Sequence, residues 1–275
     1  MNKWVHHGSL IIELFVVSNL GFLALDIYLA HSANAFSNPA EWIPFYFSFG
    51  APFLLILELS LNRYGKKQRY RTIGFFVGSC SVLVGIAGLL WHLNSTFFEY
   101  QTLKSLVYTA PFIAPLAYTG LGCLLIMNRM VKQDEMEWSQ WLIFFGLAGF
   151  FGNFILALLD HAQNGFFLLT EWIPVISSAI AVSFLGTALV RNCSRRFFEI
   201  CIAIMFLQVF VGVIGFYFHA ITVTQGLSSS FFENLVYTAP VFAPLLFLNL
   251  AFLSGLGLLG VRYNQIQYAE LSKAV

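Results

Sequence analysis

Residues Leu106–Leu116 read LVYTAPFIAPL, and residues Leu235–Leu245 read LVYTAPVFAPL. Nine of the eleven positions are identical, 129 residues apart in a chain of 275. A match of this length at a fixed offset marks an internal duplication, and it frames every local reading. Each copy sets two prolines four residues apart inside an apolar run.

The runs that surround this stretch decide the class. Hydrophobic residues make up 59 % of the chain, charged residues 10 %, and the mean hydropathy is +0.77. A soluble domain carries roughly 25 % charged residues. Apolar runs fall near 10–30, 43–61, 72–92, 106–127, 140–160, 172–190, 197–219 and 235–261. Each approximates the ~20 residues that a helix needs to cross a bilayer. The expected fold is therefore all-α and integral to the membrane, with eight transmembrane helices. Four spans per half is an even number. The halves, 1–130 and 131–275, are then tandem, parallel four-helix repeats related by a pseudo-twofold axis along the membrane normal.

Charge sets the orientation. Thirteen of the fourteen Lys and Arg residues sit in 62–71, 128–133, 191–196 and the two termini, and Lys104 is the exception. The positive-inside rule places both termini in the cytoplasm of a cell membrane and turns the loops near 31–42, 93–105, 161–171 and 220–234 outward. The net charge of +1 gives no footprint for nucleic acid. Ala33-Asn34-Ala35 resembles a signal-peptidase site, but cleavage is not expected, because the first apolar run is too long and HAQNGF at 161–166 repeats HSANAF at 31–36 internally. The four cysteines form no CxxC pair, and no disulfide is expected.

The polar residues that recur in both halves are the candidate site. They are His31 and His161, Asn34 and Asn164, Glu41 and Glu171, His92 and His219, Tyr108 and Tyr237, and Thr109 and Thr238. All fall at outward helix ends. Asn38-Pro39-Ala40-Glu41 reads as a capped helix start. VxVGxxGxxxH occurs at 82–92 and at 209–219, and its spacing puts both glycines and the histidine on one helical face. Small residues on that face admit a second helix or a flat ligand. Pro111 and Pro115 free the carbonyls of Val107 and Pro111, and Pro240 and Pro244 free those of Val236 and Pro240. Such carbonyls need protein or water partners. Asp26, Asp160, Glu13, Glu58 and Glu199 occur in one half only and weigh less.

Three readings follow. In the first, His31, Glu41 and His92, with His161, Glu171 and His219 in the other half, form one metal site per repeat, since His₂-carboxylate sets suit zinc, copper or iron. Its haem variant uses His31 and His92 as axial ligands, with the Gly85/Gly88 face against the macrocycle; a redox role would then call for a quinone or another membrane electron carrier as partner. In the second, the chain is a small-molecule transporter or receptor whose cavity is lined by Tyr108, Thr109, Pro111, Pro115, Tyr237, Thr238, Pro240 and Pro244. In the third, it is a structural or assembly subunit whose histidines and glutamates complement helix dipoles. The aromatic clusters near Trp42, Phe97 and Phe216 read as an interfacial belt, with a quinone or lipid pocket as the alternative. Two tandem four-helix bundles, each with a histidine pair near the outer face, are similar in layout to the haem A synthases. The loop cysteines and glutamate-histidine motifs of those enzymes are absent, so the resemblance assigns no residue a role.

Overall fold

The computed structural model describes residues 3–64, 71–191 and 193–274, with side chains over 7–61, 72–191 and 193–267. Most of the basic segment 62–71, and the charged side chains of the chain termini, lie outside the described residues. Among the described residues every regular element is helical. In chain order these are α1 (Lys3–Ser32), α2 (Trp42–Tyr64), α3 (Arg71–Asn94), α4 (Phe97–Tyr100), α5 (Leu103–Val107), α6 (Leu116–Met130), α7 (Met136–Gln163), α8 (Trp172–Val190), α9 (Arg195–Thr224), α10 (Phe231–Tyr237) and α11 (Leu246–Ala274). One-turn 3₁₀ segments precede α2, α8 and α11.

Among the described residues, seven stretches are long and apolar enough to cross a membrane: His7–Ser32, Pro39–Leu61, Thr72–Asn94, Met136–Gln163, Leu169–Val190, Arg195–Thr224 and Ala243–Gln267. A continuous helix over 106–127 is not formed. α5 stops at Val107, residues 108–115 are non-helical, and α6 has 15 residues. Pro111 and Pro115 are the physical reason, because each removes an N–H from the ladder and its ring crowds the turn before it. The run expected over 235–261 is likewise broken. α10 ends at Tyr237, and regular helix resumes only after Pro240 and Pro244.

The ends of α1 and α7 show how the sequence sets the turns. Phe36 N–H donates to His31 O (3.0 Å) and Ala35 N–H to Ser32 O (3.1 Å). Phe166 N–H donates to His161 O (3.1 Å) and Gly165 N–H to Ala162 O (3.0 Å). This is the Schellman pattern, with Ala35 (φ 55°) and Gly165 (φ 73°) in the left-handed region that such a cap needs. Just beyond, Phe36 stacks on Trp42 at 4.1 Å and Phe166 on Trp172 at 4.0 Å. As the sequence predicts, the Asn38 side chain caps the following turn, accepting Ala40 N–H at 2.9 Å.

The chain divides into two compact units, and each draws on both halves of the sequence. Unit 1 comprises 1–88, 115–130 and 216–243. Its core is one face of α1, with Ile12, Val16, Leu20, Ala24 and Ile27 buried at helical spacing, together with Ala51 and Leu55 of α2 and Leu124 and Leu125 of α6. Unit 2 comprises 89–114, 131–215 and 244–275. In it α7 packs on α8 and α11 around Ile143, Phe150, Leu185, Phe247 and Leu258. In unit 1 the short helix α10 lies against α1, and in unit 2 the short helix α5 lies against α7. Each proline-broken stretch thus follows a short helix that packs on the first long helix of the opposite sequence half.

Candidate functional site

The carbonyls that the prolines release find named partners. In unit 2, His92 Nδ1 lies 2.9 Å from Pro111 O. A carbonyl only accepts, so Nδ1 carries the proton and Nε2 is left as the second ring position. Val107 O accepts from Gln163 Nε2 at 2.7 Å. The two carbonyls released by Pro115 and Pro111 are therefore both satisfied, one from α3 and one from the end of α7. Thr109 Oγ1 donates to His92 O at 2.7 Å, and Ser95 Oγ accepts Ala110 N–H at 3.0 Å. These bonds tie the unwound stretch to the end of α3. In unit 1, His219 Nδ1 lies 2.8 Å from Pro240 O, the carbonyl that Pro244 releases.

The glycines of VxVGxxGxxxH serve the same break. In unit 1, a Cβ at Gly85 would lie 2.6 Å from Thr119 N, and one at Gly88 would lie 2.7 Å from Pro115 Cβ. In unit 2, a Cβ at Gly212 would lie 2.9 Å from Pro244 O, and one at Gly215 would lie 2.9 Å from Pro244 Cβ. The fourth and seventh positions of the motif are small because a proline ring and its neighbouring backbone occupy the space. The Gly85/Gly88 face, expected to admit a helix or a macrocycle, is filled by Pro115.

His31 and Glu41 meet in unit 1. His31 Nδ1 is 3.4 Å from Glu41 Oε2, and Asn34 Nδ2 donates to Glu41 Oε1 at 2.9 Å. His31 also lies 5.8 Å, ring centre to ring centre, from Phe36, and in unit 2 His161 lies 6.1 Å from Phe166. Glu171 Oε2 is buried without a hydrogen-bond partner among the described residues. No group of three or more His, Cys, Asp or Glu side chains comes together among the described residues. The structure pairs His31 with Glu41, and it uses His92 and His219 on carbonyls.

Of the residues expected to line a cavity, Thr109 and Pro111 border a cleft in unit 2. Leu106, Val107, Phe112 and Ile113 form one wall, and Leu156, Leu159, Asp160 and Gln163 of α7 form the other. It has room for about one water molecule. Tyr108 and Tyr237 are 58 % and 69 % exposed, and Pro115 and Pro244 pack under the glycines instead. Thr238 Oγ1 turns back to Asn234 O, 2.6 Å away.

Recurrence between halves hides two residues that matter here. Asp160 and Gln163 correspond to Ala30 and Ala33 at the offset of 130, so a search for repeated polar residues discounts them. The signal that finds Asp160 is its type, a carboxylate inside an apolar run. The same holds for a second buried cluster in unit 1, where Arg129 meets Glu13 and Glu58. Comparison with protein families, curated proteins and solved structures returned no match.

Proposed function

We propose that this chain is a multi-pass protein of the cell membrane, with both termini cytoplasmic, that binds a small cation at the outward, proline-broken end of its first repeat as a transporter or receptor. The observation that carries the reading is the cleft between residues 106–113 and α7, with Asp160 in its wall. A carboxylate at membrane depth is costly unless a proton or cation accompanies it. No residue pairs with Asp160 among the described contacts. Thr109 and Gln163 spend their polar atoms on His92 O and Val107 O, the rest of the lining is apolar side chain and unwound backbone, and the space suits a cation of about the size of a water molecule, ammonium or an alkali ion. Broken helices at membrane depth are used for ligand sites where they line a cavity.

Several paired features support the tandem four-span repeats, 1–130 and 131–275, behind this reading. The histidine-to-proline bonds, the glycine-to-proline contacts, the Schellman ends and the Phe–Trp stacks each occur once per half. The fourth apolar segment then crosses as α6, about 22 Å long at 1.5 Å per residue, with the unwound stretch completing the passage.

The test is ligand-induced stabilisation of the purified chain across a panel of small amines, alkali cations and matched anions. A ligand at 100 times its Kd adds about 2.7 kcal/mol. Cations are expected to stabilise the wild type and to lose that effect in Asp160→Asn. Equal effects of cations and anions, or an unchanged response in Asp160→Asn, would contradict the reading.

A further inference from the structure

Unit 1 buries three charged groups where the sequence offers only two apolar runs and a helix end. Arg129, one residue before the end of α6, is 8 % exposed; Glu13 of α1 is 6 % exposed and Glu58 of α2 is 1 % exposed. Arg129 Nη1 donates to Glu58 Oε1 at 2.7 Å, and Nη2 donates to Glu13 Oε2 at 2.9 Å. Asn128 Nδ2 donates to Glu13 Oε1 at 3.3 Å and to Ser9 O at 3.0 Å. The space for the guanidinium comes from Gly74 of α3, where a Cβ would overlap Arg129. Glu13 lies 18 residues from His31 on the same helix, about 27 Å at 1.5 Å per residue, so this cluster is remote from the histidine end.

Two features argue that the cluster does more than pack. The first is charge. Two carboxylates face one guanidinium, and among the described residues no other charged group acts on them. Fully ionised, these three groups together would bury a net charge of −1, which a low-dielectric interior does not tolerate. Both Glu13 oxygens accept hydrogen bonds, as an ionised carboxylate does. Glu58 Oε2, by contrast, is buried and makes no hydrogen bond of good geometry, the Gly74 backbone N–H being the one further donor that acts on this carboxylate among the described residues. One proton on the glutamate pair makes the site neutral, and this oxygen is the atom left to carry it.

The second is the other half of the chain. At the sequence offsets of 130, 127 and 129, the positions of Glu13, Glu58, Gly74 and Arg129 correspond to Ile143, Ala188, Cys201 and Leu258. All four belong to one buried apolar cluster in unit 2. Helices of this kind therefore pack at these positions without charge. A buried ion triad can be replaced by apolar residues at no loss of stability, so packing alone does not account for the triad in the first half.

We infer that Glu13, Glu58 and Arg129 form a proton-binding site that holds one proton on the glutamate pair, at Glu58, far along α1 from His31. The proton comes from water and returns to it. The inference stands on unit 1 alone and does not depend on what occupies the Asp160 cleft.

Infrared spectroscopy of the full chain in lipid discs tests it, reading the C=O stretch of protonated buried carboxyls at neutral pH in H₂O and D₂O. The wild type is expected to show a deuterium-sensitive component that is lost in Glu58→Gln and equally in Glu13→Gln. Either change leaves a single carboxylate that Arg129 neutralises, so no protonated carboxyl remains there. Asp160→Asn and Asp26→Asn should leave this component in place. A component unchanged in both glutamine variants would overturn the proposal. Should those variants fail to fold, Glu13→Ile/Glu58→Ala/Arg129→Leu, which copies the second half, gives the same readout. Loss of the component in that folded variant supports the site, and its persistence, or failure of the triple variant to fold, overturns the argument.

Discussion

His92 is expected to matter because Pro115 makes it necessary. The perturbation is His92→Ala, which removes the donor 2.9 Å from Pro111 O. Residue 115 has no N–H to give that carbonyl, which keeps only the turn bond from Ala114 N–H at 3.2 Å beside the imidazole. His92→Ala therefore removes one of two donors to an exposed acceptor, the loss of an ordinary hydrogen bond, about 1 kcal/mol. The dependence on Pro115 is read by a double-mutant cycle. In Pro115→Ala, residue 115 regains an N–H that can reach Pro111 O, so His92→Ala should then cost markedly less. His92→Asn places an amide N–H near the Nδ1 position and should recover part of the loss, whereas His92→Gln reaches the wrong distance. The assay is reversible unfolding in mixed micelles, followed by helical signal, with all six proteins under one detergent condition. Equal costs of His92→Ala with and without Pro115 would refute the reasoning, as would a single-variant cost below about 0.5 kcal/mol, the size of an ordinary surface substitution. His219, 2.8 Å from Pro240 O, should behave in the same way toward Pro244.

Two further outcomes follow from the helix ends. Ala35 holds the left-handed position that Gly165 holds in the other half; Ala35→Gly should stabilise and Gly165→Ala should destabilise, each by about 1 kcal/mol in the same unfolding assay. The turn before α2 is capped by the Asn38 side chain, whereas Leu168 at the matching position supplies no cap; Asn38→Ala should cost about 1 kcal/mol and Leu168→Asn should add a comparable amount.

The class of protein was legible from composition, and the apolar runs located the long helices well. The prolines of LVYTAPxxAPL foretold freed carbonyls, and the histidine of VxVGxxGxxxH was correctly placed on the same face as its glycines. What the residues did not disclose is that these two motifs answer each other. The histidine meets the carbonyl that the proline releases, and the glycines admit the proline ring. Pairing of that kind lies between segments about twenty residues apart, and no periodicity reports it. The length of the fourth helix was misread for a related reason. Hydropathy counts apolar residues and does not register that Pro111 and Pro115 together remove two successive ladder bonds. Recurrence between halves was a productive filter for His31, Glu41, His92 and their counterparts. It also gave less weight to Asp160, Glu13 and Glu58 and passed over Gln163 and Arg129, because a duplicated chain can specialise one copy. Arg129 was further disguised by its place in a basic loop segment, where it counted toward orientation. The arithmetic that reveals it is simple: two glutamates inside apolar runs require a cation, and Arg129 closes the nearest helix end.

The measurement that bears most directly on the proposed ligand site is equilibrium binding of the most stabilising small cation to the wild type and to Asp160→Asn, each shown to be folded by the same helical signal. The account predicts that removing the charge weakens binding at least tenfold, about 1.4 kcal/mol, while Glu58→Gln binds within about twofold of the wild type. Binding that is equally tight in Asp160→Asn would contradict it.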